Sequence, residues 1–467
     1  MPTIRSGRLT AQAADILNAI RNGASANYRE FVPPANPNLS NLGAIGNPIL
    51  NYEGIRNEFI NALLNRIAVV EVIAMGFTNP LSDFKRGTLE LGETIEEIFV
   101  GIADVYQFSQ NQAEQKVFKR KMPDVKTAFH VMNYQKFYPQ TISREQLRQA
   151  FLSVNGLEDF ITRLITAMYT AMEYDEFLMM KYVLARAILD GRLYAVETGS
   201  AADDDEGIKT TTQEIIRISG DLQFPSDKYN EYGVTTATKP ENQRIILSNT
   251  FKSYMKVAVL ASAFNMSEVE FMAQTVTIDS FGKFDNDRLT ALFTDEEGNV
   301  AGSFVPFTTA ELEALNAIPA VVIDKNFLMI YDYLTEIADI RNPMGLYWNY
   351  FLHHWACFST SPFANAVVCV PTTPAVNSVS VTPTTATLTN GGSITLTPTV
   401  VTTGFAPKTV SYEVDTGTFP EDSVTVDIYG KVTISPDAGM DSDTVTITVT
   451  STFDETKTAT CTITVNS

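Results

Sequence analysis

Side chains able to do chemistry are few in this chain and stand far apart. The histidines are His130, His353 and His354, and the cysteines are Cys357, Cys369 and Cys461. The adjacent pair His353-His354 would suit metal binding or proton transfer, yet no cysteine or carboxylate stands beside it at ligand spacing. Set among Trp348, Tyr350 and Trp355, it reads as packing. The cysteines form no C-x-x-C pair and are expected as small buried hydrophobes in a reducing compartment. "ADDDEG" (202–207) and "DEEGN" (295–299) are rich in oxygen ligands. Neither has the alternate ligands leading to a Gly and a distant Glu that a calcium loop needs, so both read as solvated loops. Gly282-Lys283 lacks the upstream glycine of a phosphate-binding loop, and neither G-x-S-x-G nor H-E-x-x-H occurs. No catalytic residue, metal or cofactor is expected, and the chain does not read as an enzyme.

What remains is charge pairing. Between residues 77 and 132 an acidic cluster (Glu90, Glu93, Glu96, Glu97) and a basic one (Lys116, Lys119, Arg120, Lys121, Lys126) occupy separate places. At about 3.3 Å per residue, a two-armed extension of this length reaches tens of Å from the body. Alone it buries too little to be stable, so it is expected to lie on another subunit. The candidate subunit-interface residues are therefore Phe84, Lys85, Arg86, Glu90, Glu93, Glu96, Glu97, Lys116, Lys119, Arg120 and Lys121. By its cations alone "KVFKRKMPDVK" (116–126) would suit a nucleic-acid patch, but only Phe118 is interleaved as an aromatic and the four-glutamate cluster shares the extension. Pairing with an acidic surface on a neighbour is the better reading.

These residues need elements to position them. Residues 157–191 carry apolar residues at Leu157, Phe160, Ile161, Leu164, Ile165, Met168 and Met172, which is helical spacing. The segment predicts a rod on the order of 50 Å long, ended by Gly191 and suited to a spine. From 196 to 339 short strands ("RIILS", "TVTID", "PAVVIDK", "FLMIYD") mix with helical pieces ("FKSYMKVAVLASAFN", "TAELEALNAI"), which reads as an α+β lobe. An aromatic return, 341–370, ends in a strand of buried character. "PTTP" (371–374) then reads as a linker, because composition changes abruptly: from Val376 on there are 25 Thr in 92 residues. Period-2 runs between turns every 8–12 residues describe an antiparallel sandwich, with a hairpin turn at Tyr429-Gly430-Lys431.

The chain has 467 residues, enough for roughly three domains, with 45% hydrophobic residues and a net charge of −20 from 34 basic and 54 acidic residues. A chain this acidic repels nucleic acid rather than gripping it. The N-terminus lacks the apolar run of a signal peptide, and "VAVLASAF" (257–264) and "FANAVVCV" (363–370) fall short of the ~20 residues that span a bilayer.

Two resemblances follow from these stretches. Through "VNSVSVTP", "TLTNGGSITLTPTV" and "ATCTITV" the tail resembles the bacterial Ig-like domain, group 2. The order of extension, spine helix, α+β lobe and returning strand resembles the Hong Kong 97-type capsid fold. With the tail, the chain is similar to the phi-29-like major capsid protein family. "NAIRNGASANYREFVP" (18–33), "GETIEEIF" (92–99), "AEQKVFKRKMPDVKTAFH" (113–130), "AFNMSEVEF" (263–271), "RNPMGLYWNY" (341–350) and "FANAV" (363–367) carry the match.

The resemblance implies a fold class of α+β Hong Kong 97-like capsid fold (N-arm, extended loop 77–132, spine helix 157–191, axial lobe 196–339) over 1–374. An all-β Ig-like sandwich over 375–467 follows it. It implies a tailed-bacteriophage head shell, icosahedral or prolate, built of hexamers and pentamers of this chain and assembled in the host cytoplasm. The implied partners are a scaffolding protein, a portal protein, and packaged double-stranded DNA held without sequence-specific contacts. The resemblance leaves open whether the Ig-like domain meets head fibres, host-surface glycans or neighbouring capsomers. A surface adhesin with an Ig-like domain would need export, and a carbohydrate-active enzyme would need a catalytic constellation.

Subunits each carrying −20 repel, while contact pairs persist under a Debye length of about 8 Å at 0.15 M salt. Shell assembly followed by light scattering, with the scaffolding protein present, is therefore expected to be slower at about 10 mM than at about 150 mM salt. Faster assembly at the lower salt would overturn this.

Overall fold

The computed structural model describes residues 13–59, 62, 77–103, 105, 125–143, 145, 148, 154–198, 205–258, 275–295, 297–417 and 423–466. In chain order it begins with helices α1 (Ala13–Gly23), α2 (Ala26–Phe31) and α3 (Leu42–Asn51). Strands β1 (Lys85–Thr88), β2 (Ile95–Val100), β3 (Val125–His130) and β4 (Tyr134–Ser143) follow, then helix α4 (Val154–Leu189). Next come β5 (Tyr194–Glu197), α5 (Asp205–Asp221), β6 (Gln243–Ser248), α6 (Asn249–Ala258), β7 (Thr275–Ile278), α7 (Asn286–Leu292) and α8 (Thr309–Asn316). Strands β8 (Ala320–Asp324), β9 (Leu328–Asn342), β10 (Tyr347–Thr360) and β11 (Ala366–Val370) complete this part.

Helix α4 has 36 residues and so runs about 54 Å. Met168 and Met172 of the expected stripe are buried beside Ile20, Tyr28, Ile45 and Ile49 of the N-terminal helices and Trp348, Tyr350 and Leu352 of β10. Arg56 closes this cluster by donating from Nε to Ile49 O (3.1 Å) and from Nη2 to Leu50 O (2.7 Å), carbonyls of the last turn of α3. Further along, Phe177, Met180, Leu184 and Ile188 pack on one face of the five-stranded sheet β5-β11-β8-β6-β7. That face presents Val321, Ile323 and Val368, and the opposite face (Val322, Val367, Cys369) lies under α5 and α6. Strands β8 and β11 are buried throughout, which explains why they read as continuous apolar runs. This sheet draws on β5, which begins before residue 196, and on β11. Residues 328–339 of the expected lobe instead join the four-stranded sheet β1-β9-β10-β4.

The tail comprises β12 (Ala375–Thr382), β13 (Thr385–Thr389), β14 (Ser393–Thr395), β15 (Thr397–Thr403), β16 (Val410–Asp415), β17 (Val424–Val426), β18 (Lys431–Ile434), β19 (Asp443–Ser451) and β20 (Thr458–Asn466). Val445, Ile447 and Val449 point inward with Cys461, Ile463 and Val465, all fully buried. Their neighbours pair across the outer face as Thr444/Thr464, Thr446/Thr462, Thr448/Thr460 and Thr450/Thr458. Threonine fits there because a β-branched side chain suits the pleat while its hydroxyl faces water. The sandwich is not wholly antiparallel, since β13 pairs with β20 in parallel. The chain changes sheets at Pro383, which has no N–H to continue the ladder of β12 with β15.

Residues 371–374 do not hold the tail at a distance. Helix α4 ends in a Schellman motif: the Arg192 amide donates to Ala187 O (3.0 Å) and the Gly191 amide to Ile188 O (3.1 Å), with Gly191 at φ +69°. The Lys408 amide of the tail donates to Gly191 O (3.0 Å), and its Nζ donates to Leu189 O (2.9 Å), placing a cation at the negative end of the helix. Phe453 meets Tyr194 with ring centroids 5.4 Å apart. A Cβ on Gly191 would lie 2.8 Å from the Lys408 nitrogen. Gly191→Ala is expected to lower the urea-unfolding stability of the unassembled chain by at least about 2 kcal/mol. Lys408→Ala, which loses one exposed bond, is expected to lower it by about 1 kcal/mol or less.

Candidate subunit interface

Strands β2 and β3 form an antiparallel hairpin from Ile95/His130 to Val100/Val125. Alternation divides it into two faces. The inner face carries Glu97, Phe99, Lys126, Ala128 and His130 and lies on its own chain. Phe99 stacks on Phe363 (5.9 Å), Lys126 Nζ donates to Tyr232 O (3.0 Å), and Ala128 packs with Val234 and Phe363. His130 is buried, with Nε2 3.1 Å from Glu97 Oε2 and Nδ1 2.7 Å from Ser359 Oγ. A carboxylate only accepts, so Nε2 carries the proton, and in the neutral ring Nδ1 accepts from the serine hydroxyl. The outer face presents Glu96, Ile98 and Val100 beside Val125, Thr127 and Phe129. Ile98, Val100 and Phe129 are 60%, 57% and 64% exposed.

The candidate residues separate accordingly. Phe84, expected at a contact with another subunit, is fully buried in the chain's own core with Leu81, Phe177 and Met180; this corrects the expectation. Lys85 is likewise engaged within the chain. Its Nζ lies 3.1 Å from Glu176 Oε2 on α4 and 2.8 Å from Asp332 Oδ2 on β9. His354 Nε2 lies 3.2 Å from the other Asp332 oxygen. Arg86 is partly buried, with Nη2 enclosed and lacking an acceptor. Glu93 accepts from the Glu90 amide through Oε2 (3.0 Å), and its carbonyl accepts from Tyr333 Oη (2.8 Å). Glu90 and Glu96 are exposed, and Glu97 binds His130. Lys116, Lys119, Arg120 and Lys121 lie outside the described residues. The expectation that the extension rests wholly on another chain changes too, because Phe363 and Tyr232 seat its inner face at home.

His130, Glu176 and Asp332 hold the hairpin and the strand leading to it, and sequence reasoning missed them. A local signal existed for the hairpin: apolar residues fall on both faces of β2 and β3, which marks strands covered twice. No signal existed for Glu176 and Asp332, which meet Lys85 only in space. Nor does His354 serve simply as packing, whereas His353 does lie against Phe137 (5.8 Å). Among the described residues no group of three or more His, Cys, Asp or Glu could hold a metal, and no helix is long and apolar enough to cross a membrane. Burial pushes the Cys357 thiol up to about 11 and the Cys369 thiol up to about 12, away from the reactive thiolate.

The chain is an α+β body built along one long helix, with a hairpin whose outer face is apolar and exposed. Residues 17–370 match the model of the Phi29-like phage major capsid protein. The major capsid protein of Bacillus phage B103 is 34% identical over 358 residues, 76% of this chain and 72% of that one. The major capsid protein of Bacillus phage PZA is 33% identical over the same shares. The capsid structure of Staphylococcus phage Andhra aligns with a TM-score of 0.50 at 15% identity, over 64% of this chain and 85% of its own. The chain belongs to the Phi29-like phage major capsid protein family. It is a structural protein of the bacteriophage head, and copies of it form the capsid shell of the virion. The match ends at Val370, the last residue of β11.

The Lys85 cluster sets a pH dependence. Burial holds the Glu176 carboxyl above the usual range despite Lys85, so its contribution to stability is complete in acid and is lost as pH rises through that raised value. Burial also pushes Asp332 up, but the bond from His354 and the charge of Lys85 outweigh it and leave Asp332 low; its contribution is lost only as pH falls through that low value. Burial pushes Lys85 down, and the charges of Glu176 and Asp332 outweigh that too. Glu176→Gln is therefore expected to be at least as stable as the parent at about pH 8, with the gap closing toward about pH 5. Lys85→Met is expected to cost on the order of 3 kcal/mol at neutral pH, less in acid, by urea unfolding of the unassembled chain.

Proposed function

We propose that this chain is a Hong Kong 97-like shell subunit whose hairpin carries the contact to a neighbouring subunit on its outer face. The observation that carries this is the division of labour on β2 and β3. The inner face is already satisfied within the chain, while Ile98, Val100 and Phe129 stand exposed together on one face of the strand pair. Isolated apolar residues on a surface are ordinary, but a contiguous set on one strand pair marks an interaction surface. Glu90, Glu93 and Glu96 are exposed, and in the sequence the cations Lys116, Lys119, Arg120 and Lys121 fall between the hairpin's two strands, so charges of both signs are available for complementarity with a neighbour. Repeated around hexamers and pentamers, this contact would close the head around a scaffolding protein, with a portal at one vertex. The acidic chain would line packaged DNA without gripping it.

In this reading residues 375–467 are a group 2 Ig-like domain on the outside of the shell, available to head fibres, host-surface glycans or neighbouring capsomers, and the chain performs no catalysis. What supports the domain is its separate core and the end of the family match at Val370. Ile98→Glu with Val100→Glu is expected to leave circular dichroism unchanged, because both sites are exposed in the free chain. It is expected to abolish shells in sedimentation velocity. Each unpaired carboxylate buried at a contact costs more than about 1.4 kcal/mol, a factor of ten in that equilibrium. Wild-type shells from this variant would sink the assignment of the outer face.

A further inference from the structure

The seat of the hairpin has a second occupant. Tyr232, whose carbonyl accepts from Lys126 and whose ring meets Phe363 edge-on (5.4 Å), donates from its hydroxyl to Tyr429 Oη of the tail (3.0 Å). The Tyr429 ring stands edge-on to it at 6.1 Å. The corner between these contacts is stiff. Buried Asn230 donates from Nδ2 to Val234 O (2.7 Å) and accepts from the Val234 amide (2.8 Å), and the Tyr232 amide donates to Pro362 O (3.2 Å). Tyr429 is equally fixed in its turn, where the Gly430 amide donates to Asp427 O (3.0 Å) and the Tyr429 amide to Asp427 Oδ1 (2.9 Å). A corner of this kind transmits displacement rather than absorbing it.

We propose that the tail braces the assembly hairpin through Tyr232, so that the stance of β2 and β3 depends on the docking of residues 375–467. The tail then acts as a positioning element for the contact loop, in addition to anything it presents outside the shell. On the hairpin side the brace is completed by His130, which ties Glu97 to Ser359 on β10. On the loop's approach, Gly87 (φ +134°) and Gly92 (φ +93°) have nothing within 4 Å of where a Cβ would stand, and the stretch between them is held to β9 by Leu89 N–H donating to Asp332 O (2.8 Å). Their positive φ values favour glycine for conformation alone. These contacts lie within one chain, so the inference holds whatever the outer face meets.

Hydrogen exchange on the unassembled full chain tests it. Tyr429→Ala is expected to speed exchange at amides 95–100 and 125–130 by roughly 2- to 12-fold, the range of one modest hydrogen bond, while β19 and β20 keep their protection. Coupling is reciprocal, so His130→Gln is expected to speed exchange in the turn 427–431 as well as in the hairpin. Unchanged hairpin exchange in Tyr429→Ala, with β19 and β20 protected, would overturn the proposal. So would a His130→Gln variant that loosens the hairpin and leaves 427–431 as in the parent. If Tyr429→Ala loosens the whole tail, Tyr429→Phe, which removes only the hydroxyl, decides on the same two readouts.

Discussion

A helix of 36 residues cannot bury its apolar surface against one compact core, and this constraint organises the molecule. Along α4 two clusters share the work. Met168 and Met172 serve the N-terminal helices and β10, while Phe177, Met180, Leu184 and Ile188 serve the five-stranded sheet. Phe177, Leu178, Met179 and Met180 are four consecutive buried residues, so the helix is enclosed on every side there. A single-faced amphipathic helix would need only one partner; this one needs a covering on each side.

Enclosure dictates the electrostatics. Asp175, Glu176 and Lys181 sit on the enclosed stretch, almost without solvent, and an unpaired charge there would cost several kcal/mol. Each therefore reaches a partner on a different element: Asp175 takes Arg288 of α7, Glu176 takes Lys85 of β1, and Lys181 takes Asp279 (2.5 Å) after β7. Lys181 also lies 5.0 Å from the rings of both Phe177 and Phe284. These pairs fix which elements meet the helix more than they add stability, since burying ions offsets much of their attraction. The pairing to Lys85 anchors β1, the strand that leads into the β2–β3 hairpin.

The far end of the helix imposes a second constraint. Its last carbonyls need donors, and the tail's Lys408 supplies one to Leu189 O and another to Gly191 O, just past the helix end. A domain with its own core is thus tied to the body at the terminus of the rod, and the same tail reaches the loop's seat at Tyr232. The spine, the loop and the tail form one mechanical unit, although each has its own packing.

The sequence by itself determined the elements. Helical spacing from Leu157 onward, alternation and threonine richness after Val376, and the composition change at Pro371–Pro374 are local patterns, and local patterns follow from backbone geometry with period 3.6 or 2. It also carried the family, because the matching stretches are long and run through most of the chain. Tertiary structure alone decided the partners. Lys85 reads as a surface cation until Glu176, 91 residues away, and Asp332 stand beside it. Phe84 reads as a loop aromatic until Phe177 and Met180 close over it. The seat at Tyr232 and Phe363 gathers residues from the loop, the lobe and the tail, which no spacing rule connects. Pairing across such distances depends on which faces remain uncovered once every element is packed, and that is a property of the whole chain.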